Sequence, residues 1–336
     1  MLALDSGAFS LYSKHAGITE DFSYFDTWAF LDYVDEYADF VRDHEEAIDW
    51  FVNVDVISRP EQSWEVLKYM ESDGLAPMPV IHYGADLHWV EKHLEAGYQY
   101  LGIGGPRTLH TSTYARWADQ MFKLICPRRH DKPLVKTHGF GMTRHDLLMR
   151  YPWTTVDSKT WLQAAFNGQI WVPPRTRNGF AFDLRPRIVP IGQTRRRNTI
   201  RWHVLRDVRE WLDSIGLPLG ENEEPGVTND DHTRTIANLA YFDALSKHSG
   251  KMIFTSSGSQ STPESLFDEA NVMLSYYELR ENRETMKRLK RHSGKRSSAP
   301  SYCPTTGVRH TTKKSPPNRN SIWTVRSLPS AIREGV

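Results

Sequence analysis

Cysteine is scarce: the 336 residues hold only two, Cys126 and Cys303. Two thiols cannot build a disulfide framework or a four-cysteine zinc site, which points to a reducing compartment. No apolar run approaches the roughly 20 residues that a spanning helix needs. The opening MLALDSGAFS has neither the basic segment nor the long apolar core of a secretory leader. With a mean hydropathy of −0.56, the expectation is a soluble, cytoplasmic protein with no membrane partner. A glycine-rich phosphate loop is missing after the first apolar run, which argues against an open dinucleotide-binding sheet. What is present is aromatic: 12% of the chain, with 11 Trp, is more than a wholly disordered sequence carries.

A formal net charge of +1 conceals an asymmetry. From Arg283 to the end there are 13 Lys and Arg against two acids, Glu284 and Glu334, so this part carries +11 and the rest −10. A second basic stretch, 175–201, holds eight arginines against the single acid Asp183. Residues 293–336 are rich in Ser, Thr, Pro, Lys and Arg with little periodicity, a composition that reads as disorder.

Short apolar runs at 2–5, 50–55, 78–82, 100–104, 134–138 and 153–157 alternate with helical stretches. This is the pattern of repeated βα units around a parallel sheet. Ser58 with Pro60 predicts a helix over 61–70, and Asp86 a cap for 87–96 with Gly97 as its stop. Thr143 with Asp146 reads as a capping box, and 158–167, closed by Gly168, as a further short helix. The series favours an α/β fold of the (β/α)₈ TIM-barrel type. The pairs 169–172 and 187–191 are candidates for the remaining strands. Because Leu2 already lies in a strand, the expectation includes a barrel lacking its first strands. Helical patterns follow at about 199–215, 232–248 and 264–292. The expected organisation is therefore a barrel domain over 1–174, an Arg-rich and helical region over 175–292, and a basic tail over 293–336.

Functional groups of a parallel barrel stand at the C-terminal ends of its strands. Here those ends carry Asp5, Asp55 and Asp157, with His82, His138 and the glycines of LGIGGP and HGFG. A carboxylate ending a buried strand must be solvated, paired or used, because burying it alone costs several kcal/mol. A single strand-end Asp also serves as a helix cap. Three that converge suit chemistry at a sugar anomeric carbon, with one carboxylate as nucleophile and another as acid or base. Gly7, Gly102, Gly104, Gly105, Gly139 and Gly141 would let backbone groups approach a flat ligand, and Phe9 could stack on it.

The ordered series DSGAFS, NVDVIS, VIHYG, LGIGGP and HGFGMTRHDLLMRYPWTTVDS resembles the tRNA-guanine transglycosylase superfamily over roughly residues 2–175. It looks closest to the phage and genomic-island paralogues that place 7-deazaguanines into DNA, a modification that protects from restriction. The resemblance implies Asp5 as general base, Asp157 as covalent nucleophile and Asp55 as reader of the base edge. It further implies Gly104 and Gly105 as backbone contacts and Phe9 and His138 as stacking residues, with Ser6 and Gly139 beside them. His82 stands where the family commonly has Gln. The family's C-x-C-x-x-C…H zinc site has no counterpart here, so the implied cofactor set is empty. The only local Cys/His pair, Cys303 with His310, sits in the basic tail.

Loss of the zinc site and of any RNA-binding appendage shifts the expected partner from tRNA to DNA. Arg175, Arg177, Arg195, Arg196 and Arg197, together with the tail, are the candidate phosphate contacts. Trp161, Trp171 and Trp202 are candidates for holding flanking bases, although Trp more often fills a core. Three alternatives stay open: a tRNA-modifying transglycosylase, a barrel glycoside hydrolase, and a non-catalytic nucleic-acid-binding protein.

Overall fold

A computed structural model describes residues 2–17, 19–105, 110–127, 133–220, 224–249, 272–277 and 280–281. In chain order, β1 (Leu2–Asp5) leads to α1 (Ala8–His15), α2 (Trp28–Asp43), β2 (Trp50–Phe51), α3 (Pro60–Ser72), β3 (Val80–Ile81) and α4 (His88–Glu95). Then come β4 (Tyr100–Ile103), α5 (Thr111–Ile125), β5 (Lys136–Gly139), α6 (His145–Arg150), β6 (Thr155–Val156) and α7 (Thr160–Phe166). Beyond them lie β7 (Ile170–Val172), β8 (Arg175–Thr176), β9 (Gly179–Phe180), β10 (Arg187–Val189), α8 (Thr194–Arg197), α9 (Trp202–Ser214), α10 (Asp231–Ser249) and β11 (Val272–Ser275). The fold is mixed α/β with parallel sheets. Among the described residues no helix is long and apolar enough to cross a membrane. The chain divides into two compact units, one built from Val52–Asn271 and the other from Leu2–Phe51 with the described residues from Val272 on.

In the unit containing the N-terminus, β1 is central, flanked in parallel by β2 and β11. The α2 sequence WAFLDYVDEYADFVRD repeats apolar residues every three or four positions. It thereby buries Phe30, Tyr33, Val34, Tyr37 and Val41 along one stripe. The Tyr33 hydroxyl donates to the Ser6 carbonyl at 2.6 Å, fixing α2 to the end of β1. Tyr276, just past β11, packs edge-on against Tyr33 and Tyr37 with ring centroids 5.4 and 5.0 Å apart. The expected helix over 264–292 is corrected at Val272–Ser275, which pairs with β1, Leu2 opposite Val272 and Asp5 opposite Ser275, while the other described residues of that stretch, 276–277 and 280–281, are helical. A short apolar run such as VMLS fits a buried strand or a helix face equally well, and the open edge of β1 decides it through four residues of ladder pairing.

In the other unit, β3, β4, β5 and β6 lie side by side in parallel, with Val80 opposite Gly102, Gly102 opposite His138, and His138 opposite Thr155. Strands shielded on both faces read as continuous apolar runs. Leu101 and Ile103 of β4 are completely buried, each contributing about 2 kcal/mol by leaving water. Pro60 opens α3 as predicted, and Gly97 and Gly168 end α4 and α7 with φ of 84° and 67°. Asp86 does act at the start of α4, its Oδ1 accepting the His88 N–H at 2.9 Å. The capping box does not form: α6 starts at His145 with Arg144 at its N-cap position, and the Thr143 hydroxyl instead bonds Thr160 Oγ1 at 3.1 Å.

The stretches 169–172 and 187–191 do hold strands, β7 and β10, but they pair antiparallel with each other. The 14 residues between them form the β8–β9 hairpin rather than a crossover helix, and a parallel return needs such a crossover. The change of composition after residue 174 falls inside this unit, where α10 packs on α7 and β7. Buried side chains fix that packing. Asn238 Oδ1 accepts the Trp171 N–H at 2.8 Å, and Arg234 donates to the Ala165 and Val227 carbonyls at 2.7 and 3.0 Å. Arg234 Nε thereby satisfies a carbonyl in the last turn of α7.

His93 gives this unit a pH dependence. It is 5% exposed on α4, with its Nδ1 2.5 Å from the Trp89 carbonyl. Burial pushes its pKa below the ordinary 6.5. Stability from keeping it neutral is therefore complete above the unfolded value near 6.5 and is lost as pH falls, since only the unfolded chain takes up the proton. His93→Gln is expected to shrink the fall in urea midpoint between pH 7 and pH 5. An unchanged fall would place the titration elsewhere.

Candidate active site

The ends of β3, β5 and β6, with the segment that follows β2, bring four of the predicted polar side chains together as two pairs in one unit. Asp157 follows β6 and is held twice by its backbone, its N–H donating to Gly139 O at 3.2 Å and its carbonyl accepting from Met142 N at 2.9 Å. Its side chain keeps 32% of its surface. The Gly141 N–H donates to Oδ1 at 3.0 Å, and His138 Nε2 stands 3.3 Å from the same oxygen. Both contacts fall on Oδ1, and among the described residues Oδ2 has no protein partner. A carboxylate held through one oxygen with the other open can attack an electrophilic carbon.

His138 is in turn fixed from below. It is 2% exposed, and its Nδ1 lies 2.7 Å from Thr155 Oγ1, which makes a short hydrogen bond with the Tyr100 hydroxyl. Thr155 and Tyr100 were not among the predicted residues. The available signal was the two-residue period of a strand, which puts Thr155 on the same face as Asp157. The ring of Phe140 meets that of His138 edge-on at 4.5 Å, a contact that the sequence HGFG did not single out.

Asp55 and His82 form the second pair. Asp55 is 3% exposed and makes a short hydrogen bond to His82 Nε2. A buried carboxylate needs such a partner, because without one it carries its desolvation uncompensated. His82 lies against Gly104, where a Cβ would come 2.5 Å from Nδ1. Gly104 uses its N–H on the Ile81 carbonyl at 2.9 Å and accepts the Tyr114 hydroxyl at 3.2 Å. At Gly105 a Cβ would come 2.0 Å from the Phe140 carbonyl oxygen. Through these glycines the Asp55–His82 pair reaches the loop that holds Asp157.

Asp5, Ser6 and Phe9 belong to the other unit. Asp5 ends β1 opposite Ser275, and burial together with the Asp5 carboxylate pushes the Tyr33 phenol well above its usual pKa. Ser6 is completely buried, and its hydroxyl has no hydrogen-bond partner among the described residues. Phe9 is 51% exposed on α1.

The predicted phosphate contacts divide. Arg175 is ion-paired with Glu210, and Arg187 from the same basic stretch holds the buried Asp207 at 2.5 Å, so both fasten α9. Arg177 and Arg196 are exposed, Arg197 is half-buried, and Arg195 lies on α8. Trp161 and Trp171 pack in the core, whereas Trp202 is 73% exposed. Among the described residues no group of three or more His, Cys, Asp or Glu is placed to hold a metal ion. Cys303, His310 and the basic tail lie outside the described residues. Comparison of the chain with family models, with curated proteins and with solved structures finds no match.

Proposed function

We propose that the protein is a DNA guanine transglycosylase, a pentosyltransferase that exchanges guanine for a 7-deazaguanine base. The observation that carries this reading is Asp157, held at Oδ1 by the Gly141 N–H with His138 Nε2 3.3 Å from the same oxygen, and with the buried Asp55–His82 pair close by across the β4 glycines. The ordered motifs that resemble the transglycosylase superfamily support it, as does the run of parallel βα units, which this reading takes as part of a (β/α)₈ barrel.

In the first displacement Asp157 Oδ2 attacks C1′ of a deoxyguanosine unit. The C1′–N9 bond breaks, its electron pair goes to guanine, and a sugar ester of Asp157 remains. The departing guanine takes up a proton. An incoming 7-deazaguanine then gives its N9 proton to a base, a role the resemblance assigns to Asp5, and attacks C1′ to release the carboxylate with net retention. One proton is taken up and one released, so the cycle balances. Asp55, oriented by His82, is suited to accept hydrogen bonds from the N–H groups of the guanine edge. The target nucleotide must be unstacked to enter.

The test is a denaturing gel and intact-mass measurement on protein incubated with a guanine-containing DNA oligonucleotide, with Asp157→Ala as control. Nucleoside mass spectrometry of DNA and tRNA then follows, with 7-cyano-7-deazaguanine supplied. The expected result is a covalent complex absent from the variant and a 7-deazaguanine nucleoside in DNA. Modification confined to tRNA would make the protein a tRNA enzyme, and no covalent complex with either polymer would overturn the reading.

A further inference from the structure

We infer that the corner of α8 and α9 is a binding surface for a single-stranded polynucleotide, with Trp202 as the platform on which an unstacked base sits. The inference rests on the polynucleotide reading above and adds the place and the strand state.

Trp202 opens α9 and leaves 73% of its surface in water. The core side of α9 is set by Val208, Trp211 and Leu212, all buried. Nine residues at 100° each place Trp202 half a turn from Trp211, on the outward face. An indole on that face does not stabilise the core, and its flat side accepts any base, because every base has a π-face. Arg206, one turn on, stands with its guanidinium carbon 5.5 Å from the indole centroid and is 54% exposed. A cation at that distance is attracted to the ring and orders it.

The charge around the ring has one sign. Arg201 precedes Trp202 directly and is exposed, as is Arg196 at the preceding helical turn. The first turn of α9 holds no acid. Of its later acids, Asp207 is engaged by Arg187 and Glu210 by Arg175, with Arg206 reaching both at 3.6 and 3.9 Å, and the third, Asp213, lies at the opposite end of the helix from Trp202. Residues 175–210 carry ten arginines against three acids, so ion pairing leaves most of the positive charge for phosphates. A duplex presents phosphates but keeps its bases stacked on one another. Only a single strand can use the cations and the indole together.

The experiment is fluorescence anisotropy with a labelled 12-nucleotide single strand of mixed sequence, the same sequence as duplex, and heparin, each across a salt titration. Trp202→Ala is expected to weaken single-strand binding about tenfold with the salt slope unchanged. Trp202→Phe keeps most of the affinity, and heparin binding stays the same. Arg196→Ala with Arg201→Ala is expected to weaken all three ligands and reduce the salt slope by about two. Wild-type single-strand affinity in Trp202→Ala, or an equal loss for heparin, would overturn the stacking role. The covalent complex at Asp157 is read separately. A Trp202 effect without that complex would sink the transglycosylase reading alone, and the complex without a Trp202 effect would sink this inference alone.

Discussion

On the proposed transglycosylase reading, Asp157→Asn is expected to slow guanine exchange by about 10⁶-fold, the scale seen when a nucleophile that works with its neighbours is lost. The substitution is chosen because the amide oxygen can still accept the Gly141 N–H that now bonds Oδ1 at 3.0 Å. Shape and backbone anchoring to Gly139 and Met142 are kept, so affinity for DNA should change by no more than a few-fold. What disappears is the charge. A neutral amide neither attacks C1′ nor stabilises the positive charge that develops there. Single-turnover exchange measured beside a urea melt separates the two effects. Exchange within tenfold of wild type in a fully folded variant would exclude Asp157 as nucleophile.

Gly105→Ala is expected to destabilise the protein by about 3 kcal/mol, the upper part of the range for overfilled positions. The new methyl would lie 2.0 Å from the Phe140 carbonyl oxygen. No side chain can rotate to relieve that contact, because the obstacle is backbone. The loop 140–142 would have to move, taking the Gly141 tether of Asp157 with it, so activity should fall even below the melting transition. Gly84 provides the comparison: a Cβ there meets nothing within 4 Å, and the cost arises only from its φ of +87°, about 1 kcal/mol. Equal losses in urea midpoint for the two variants would show that steric contact at Gly105 is not what matters.

How much of this was legible depends on which force sets each element. Runs of buried apolar residues mark β1 and β4 because parallel strands are covered on both faces, and Pro60, Gly97 and Gly168 mark helix ends through fixed backbone preferences. The strand-end polar residues followed from the same register, which is why His82, His138, Asp55 and Asp157 could be named and are found together in one unit. The long helices α2 and α5 lack any side-chain cap, and their apolar stripes alone carry them. Pairing direction is a tertiary property, so the antiparallel return of β10 and the strand at Val272–Ser275 escaped a local reading. The support of His138 by Thr155 and Tyr100 spans three strands and leaves no pattern along any one of them.

The glycines of β4 and its following turn have one more consequence. Gly102, Gly104 and Gly105 meet the Phe140 ring, the His82 imidazole and the Phe140 carbonyl, each closer than a real Cβ could stand. Three segments far apart in the chain thus share a single volume, and none can change size independently. Variation at 82, 102–105 and 140 must be concerted. Sequences that keep this architecture should drift there in linked steps, with a larger residue at one place accepted only alongside a smaller one at another.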